Sequence, residues 1–222
     1  DASCPSPSRG AAPAHSDSDG AVVARDQSDA SVRVTYTYRA FLSYSHVDSK
    51  WATWLMRRLE SYRVPRRLQG RAGPVGEIGS RLAPVFRDRD ELPTSSDLGE
   101  TLRAALAASA TLVVICSPAS AKSRWVREEI ITFKRLHGER RVFAFIVSGE
   151  PALGAADDCL SPALRTEVAA DGTLSGRPAE IAAADARPQG DGRKAAFVRL
   201  LAGLLGVGFA DPSLPPVAGN NQ

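Results

Sequence analysis

The segment Thr111-Leu-Val-Val-Ile-Cys-Ser117 is apolar without interruption, and it restricts what this chain can fold into. A strand with one wet face alternates apolar and polar residues, whereas a run that is apolar throughout needs cover on both faces. Arg141-Val-Phe-Ala-Phe-Ile-Val147 repeats the pattern, and two weaker strand candidates precede it, Arg39-Ala-Phe-Leu-Ser-Tyr-Ser45 and Leu82-Ala-Pro-Val-Phe86. Helical spacing separates them. Asp48 offers an N-cap to a helix carrying Trp51, Trp54, Leu55, Leu59 and Tyr62, which Pro65 ends. Asp97-Leu-Gly-Glu100 resembles a capping box ahead of Leu98, Leu102, Ala105 and Leu106. A helix over about 123–137 carries Val126, Ile130 and Phe133 on one stripe and stops at Gly138, and a last one runs from about Gly192 to Leu205.

Strands alternating with helices imply a parallel sheet with right-handed crossovers. The expected fold is therefore α/β: a flavodoxin-like three-layer sandwich with a central parallel sheet of about five strands and helices on both faces. Ligands of such sheets bind at the carboxyl ends of the strands, so the informative loops follow Ser45, Phe86, Ser117 and Val147. Residues 150–190 are rich in Ala, Asp and Pro and poorly patterned, apart from a small hairpin expected at Asp171-Gly172. Residues 1–33 hold almost no large apolar side chain and read as a disordered tail. Residues 34–210 read as one domain, and 211–222, with Pro212, Pro215 and Pro216, as a tail or linker. A chain beginning at Asp1 without a basic-plus-apolar leader reads as excised from a longer protein.

Charge and cysteine usage exclude several function classes. The net charge is +3, and the largest basic group, Arg63, Arg66, Arg67 and Arg71, reads as a solvated loop, so nucleic acid is not the expected partner. Cys4, Cys116 and Cys159 have neither a disulfide framework nor metal-ligand spacing; no metal is expected, and a reducing, cytoplasmic setting fits. No stretch approaches the roughly 18 apolar residues of a membrane span.

Three segments together resemble the TIR (Toll/interleukin receptor) domain, bacterial type. Arg39-Ala-Phe-Leu-Ser-Tyr-Ser-His-Val-Asp48 is similar to the family's opening box. Val85-Phe-Arg-Asp-Arg-Asp-Glu-Leu-Pro-Thr94 is similar to its second strand and the mobile BB loop, without the Gly often found there. Ser117-Pro-Ala-Ser-Ala-Lys-Ser-Arg-Trp-Val-Arg-Glu-Glu-Ile130 is similar to the start of its third helix. The ordered set, spanning Tyr38 to Phe209, is more specific than any one box.

The resemblance implies cleavage of NAD+ at the nicotinamide–ribose bond, with NAD+ as substrate and no cofactor. It places the catalytic carboxylate at Glu129, four residues after Trp125 and directly before Ile130, with Glu128 adjacent. It implies substrate contacts from Ser45, His46, Arg87, Asp88, Leu92 and Trp125. It further implies self-association with other TIR domains, as a homo-oligomer or filament, fusion to a sensor or repeat module, and a setting in bacterial immunity. From the residues alone, Glu129 is either this carboxylate or a solvated helix residue, and Trp125 either a core residue or a ligand contact. His46 is either solvent-exposed or a phosphate contact, Asp88 either a loop cap or a ligand contact, and the charged run 87–91 reads equally as a salt-bridged loop. A carboxylate suits the reaction because rupture of the bond leaves an oxocarbenium-like ribose while nicotinamide departs neutral, without a strong general acid. The alternative is a non-catalytic TIR signalling scaffold. A phosphate-receiver domain fits less well, since the first strand ends in Ser-Tyr-Ser-His rather than in acidic residues, and no glycine-rich phosphate loop is present.

Overall fold

A computed structural model describes residues 35–87 and 96–217. The strands are β1 (Ala40–Ser43), β2 (Ala72–Gly73), β3 (Gly76–Glu77), β4 (Val85–Arg87), β5 (Leu112–Cys116), β6 (Val142–Ile146), β7 (Thr166–Val168), β8 (Leu174–Pro178) and β9 (Ala182–Asp185). The helices are α1 (Ser49–Ser61), α2 (Ser96–Ala107), α3 (Pro118–Lys122), α4 (Arg124–His137), α5 (Pro162–Arg165) and α6 (Gly192–Leu205). The main sheet has the order β4-β1-β5-β6-β9 and is parallel throughout. This is the flavodoxin-like order expected from the sequence, and it reverses direction at β1.

The continuously apolar runs occupy the middle of the sheet. Every residue of β5 and β6 is buried. Alternate side chains divide between two cores. Leu42, Val113, Ile115 and Phe145 pack with α1 and α6, while Phe41, Val114, Cys116 and Ile146 pack with α2, α4 and α5. The two-residue strand period thus sorts one sequence run into two hydrophobic layers. On α4 the stripe Val126, Ile130, Phe133 is buried as its spacing predicts. Ser123 caps that helix, its Oγ accepting from the Val126 N–H at 3.4 Å, and Gly138, at φ 81°, ends it.

Several local expectations are corrected. The second strand begins at Val85 rather than Leu82, because Pro84 has no N–H for the ladder and serves only as acceptor, from Arg39 N. The α2 helix starts at Ser96, so Asp97 lies within it rather than at its cap. Asp48 does occupy the N-cap position of α1, but its side chain makes no capping bond there. The poorly patterned segment holds α5, the hairpin β7–β8 turning at Gly172 (φ 89°), and β9, the fifth parallel strand. The basic residues Arg63, Arg66, Arg67 and Arg71 are exposed. Beyond α6, Leu214 is 6% exposed and joins the α1/α6 core, and the Arg67 guanidinium donates to the Pro212 carbonyl. Among the described residues, no helix is long and apolar enough to cross a membrane.

Candidate functional site

The strand order reverses at β1, so the carboxyl ends of β1 and β5 are where an open α/β sheet of this kind binds its ligand. Strand alternation decides which side chains reach them. Ser43, the last residue of β1, points to the same layer as Phe41, the layer covered by α4. Its Oγ donates to Glu129 Oε2 at 2.5 Å. Glu129 sits three residues after Val126 and four before Phe133, on the packed side of α4, and is 7% exposed. The neighbouring Glu128 turns the other way, pairing at 3.3 Å with Arg124 on the solvent side of the helix. The geometry therefore separates the two adjacent glutamates: one carboxylate meets the sheet's rim, and the other meets water.

A second carboxylate lies in the same rim. Asp48, 8% exposed, closes the turn after β1 by donating its N–H to the Ser45 carbonyl at 2.7 Å. Its Oδ2 accepts from Ser117 Oγ at 2.6 Å. That same Ser117 hydroxyl accepts from the Ser120 N–H, and the Ser117 N–H donates to Ser120 Oγ, a reciprocal cap on α3. Burial raises the Asp48 carboxyl above its ordinary range, and the Ser117 hydrogen bond draws it partly back. The chain Asp48–Ser117–Ser120 ties the turn after β1 to the segment that leads into α4. Ser43 and Glu129 are thus held between two elements whose spacing is fixed by a buried polar link.

The other expected site residues are distributed differently. Ser45 is half-buried and precedes the turn without a side-chain cap, and His46 is exposed beside it. Both follow Ser43 closely and stay at the same rim. Trp125 begins α4, 49% exposed, with the Arg124 guanidinium 5.0 Å above its ring. Although it is one turn from Glu129, the two differ sharply in burial. Arg87 is not brought to Glu129. It pairs in register with Leu42, faces α1, and donates from Nη1 to Thr53 Oγ1 at 2.5 Å. Ser43 and Glu129 meet on the other side of the sheet. Asp88 and Leu92 lie outside the described residues.

Sequence reasoning passed over Ser43, which it treated as strand interior, and gave Asp48 only a capping role. The signal for Ser43 was available: a polar residue two positions after Phe41 at a strand's carboxyl end shares Phe41's layer, the face opposite the following helix α1. No local pattern marks the Asp48–Ser117 bond, which spans 69 residues.

A family model described as TIR domain matches residues 40–201. The NAD(+) hydrolase ApTIR of Actinoplanes sp. (strain ATCC 31044 / CBS 674.73 / SE50/110) is 34% identical over 114 residues, 51% of this chain. The chain spans only 14% of the length of that relative. Among solved structures, the TIR domains of the activated Roq1 resistosome directly recognising the pathogen effector XopQ match with a TM-score of 0.36 at 22% identity. That match covers 52% of this chain and 60% of the other.

Proposed function

The chain belongs to the TIR domain family, and from that premise we propose that it cleaves NAD+ at the nicotinamide–ribose bond. The observation that carries this reading is the Glu129 carboxylate, turned from solvent to the carboxyl rim and fixed there by Ser43. The curated relative, an NAD(+) hydrolase, supports the same chemistry over the shared half of the chain.

In this reading the C1′–N bond of the nicotinamide riboside breaks with its electron pair passing to the ring nitrogen. The cationic pyridinium becomes neutral nicotinamide, and positive charge appears on C1′ and the ring oxygen of the ribose. The Glu129 carboxylate stabilises that charge, and a site shielded from water makes the attraction stronger than it would be in solution. The Ser43 hydroxyl donates to Oε2 and orients the carboxylate at the rim. Water then adds to C1′ and loses a proton, giving ADP-ribose; attack by the adenine base instead gives a cyclic isomer. Ser45, His46 and Trp125 are assigned to substrate contact at the rim, with Asp88 and Leu92 from the following loop. Arg87, on the α1 face, is assigned to tying β4 to α1 through Thr53 rather than to the ribose. Self-association with further TIR domains, a fused sensor module, a cytoplasmic setting and a role in bacterial immunity complete the proposal. The free thiols of Cys116 and Cys159 fit a reducing compartment.

A second reading is a non-catalytic signalling module. The burial that makes Glu129 electrostatically effective also leaves it little surface, and a purely structural tie between α4 and β1 would look the same in this respect. Nicotinamide release from NAD+ separates the two. Release by the wild type, dilute and concentrated, with about 10²–10³-fold loss in Glu129→Gln, supports catalysis. No turnover at any concentration leaves the scaffold.

A further inference from the structure

The segment between β6 and β9 does more than return the chain to the sheet. With the end of α3 it encloses a groove of about 610 Å³, within the size range of small-molecule sites. Its walls are apolar: Leu153, Leu160, Pro162 and Ile181. Three charged side chains reach it, Lys122, Arg165 and Asp158, two cations against one carboxylate. Arg165 Nη2 donates to Asp158 Oδ1 at 2.7 Å and to the Pro151 carbonyl at 3.2 Å. Its Nε has no acceptor among the described residues, so the pairing with Asp158 does not exhaust its donors. Lys122 is exposed and forms no ion pair among the described residues.

A groove with apolar walls and a surplus positive charge matches one kind of occupant. We propose that this groove binds a small organic anion, a phosphate ester or carboxylate with an apolar body, at a site formed by other residues than Ser43 and Glu129. The charged end of the ligand meets Lys122 and the Arg165 side chain, and the body lies against Leu160 and Ile181. The site does not depend on the proposed NAD+ chemistry, since none of its residues takes part in it.

Phenyl phosphate, inorganic phosphate and benzyl alcohol serve as probes, with backbone amide shifts followed by NMR on wild type, Lys122→Glu and Glu129→Gln. Phenyl phosphate is expected to shift the amides of Lys122, Gly176 and Ile181 saturably and to bind more tightly than either other probe. Lys122→Glu, at an exposed position, should weaken it about tenfold without changing the benzyl alcohol response. Glu129→Gln should leave the affinity unchanged. Shifts confined to other residues, equal binding of inorganic phosphate, or indifference to Lys122→Glu would each overturn the proposal.

Discussion

The two ends of the parallel sheet are built from different materials. At the carboxyl end, two carboxylates are buried, Glu129 and Asp48, each held by a serine hydroxyl. At the amino end the polar groups serve packing. His137 Nε2 meets the Leu106 carbonyl at 3.1 Å, with its ring against Phe133 (4.5 Å) and Tyr36 (5.6 Å). On the α1/α6 face of the same end lies a small apolar cavity lined by Ala40, Leu59, Ile78, Leu204 and Leu205. Burying a carboxylate costs stability even when it is hydrogen-bonded, and apolar contact contributes it. The proposed function puts the chemistry at the first end and leaves stability to the second, and each of the following variants strikes one end only.

The largest effect on stability is expected from Phe133→Ala. Its ring is fully buried between the α4 stripe and the sheet, and its loss should cost about 3–5 kcal/mol in denaturant unfolding. Nicotinamide release per folded molecule should change little. If that variant lost activity out of proportion to its folded fraction, the division between the ends would fail.

At the other end, Ser43→Ala removes the hydroxyl that orients Glu129. The rate of nicotinamide release should fall about tenfold, with about 1–3 kcal/mol lost in stability because a buried acceptor loses a donor. Ser43→Thr keeps the hydroxyl and should recover part of the rate. A rate unchanged in Ser43→Ala would mean that the carboxylate positions itself by other means.

The smallest effects are pH dependences of opposite sign, read from thermal unfolding. Burial chiefly, with Arg141 adding to it against the Leu106 hydrogen bond, lowers the His137 pKa below 6.5. The unfolded chain therefore takes up a proton first, and stability falls as pH drops through that window. His137→Gln should flatten this slope. Asp48 is shifted the other way, its folded pKa raised mainly by burial. The folded chain holds the proton longer, so this group lowers stability as pH rises above 3.8. Asp48→Asn, which can still accept from Ser117, should unfold at a higher temperature near pH 7, with the gap closing toward pH 3. Slopes of the same sign would erase the distinction.

Legibility in the sequence followed the same division. Regular apolar spacing announced β5, β6, α4 and α6, because burial on a sheet or helix stripe is a local, periodic demand. The strand β9 was not legible: Ala182-Ala-Ala-Asp185 has weak strand preference, and it is a strand only because β6 offers it a ladder. At the rim, the TIR-like boxes located Glu129, Ser45, His46 and Trp125 along the chain. They grouped Arg87 with them by sequence order, although its pairing with Leu42 sends its side chain to the α1 face. The bonds Ser43–Glu129 and Asp48–Ser117 join residues 86 and 69 positions apart, and no spacing rule reaches that far.

The adjacent pair Glu128 and Glu129 allows the most direct test. They share a helix, a charge and a length, and differ in which side of α4 they occupy. Nicotinamide release from NAD+ should be measured for Glu128→Gln and Glu129→Gln beside the wild type, at equal folded concentration. The expected result is near-normal turnover in the first and about 10²–10³-fold loss in the second. Equal losses, or an active Glu129→Gln, would contradict the assignment of the reaction to the carboxylate at the rim.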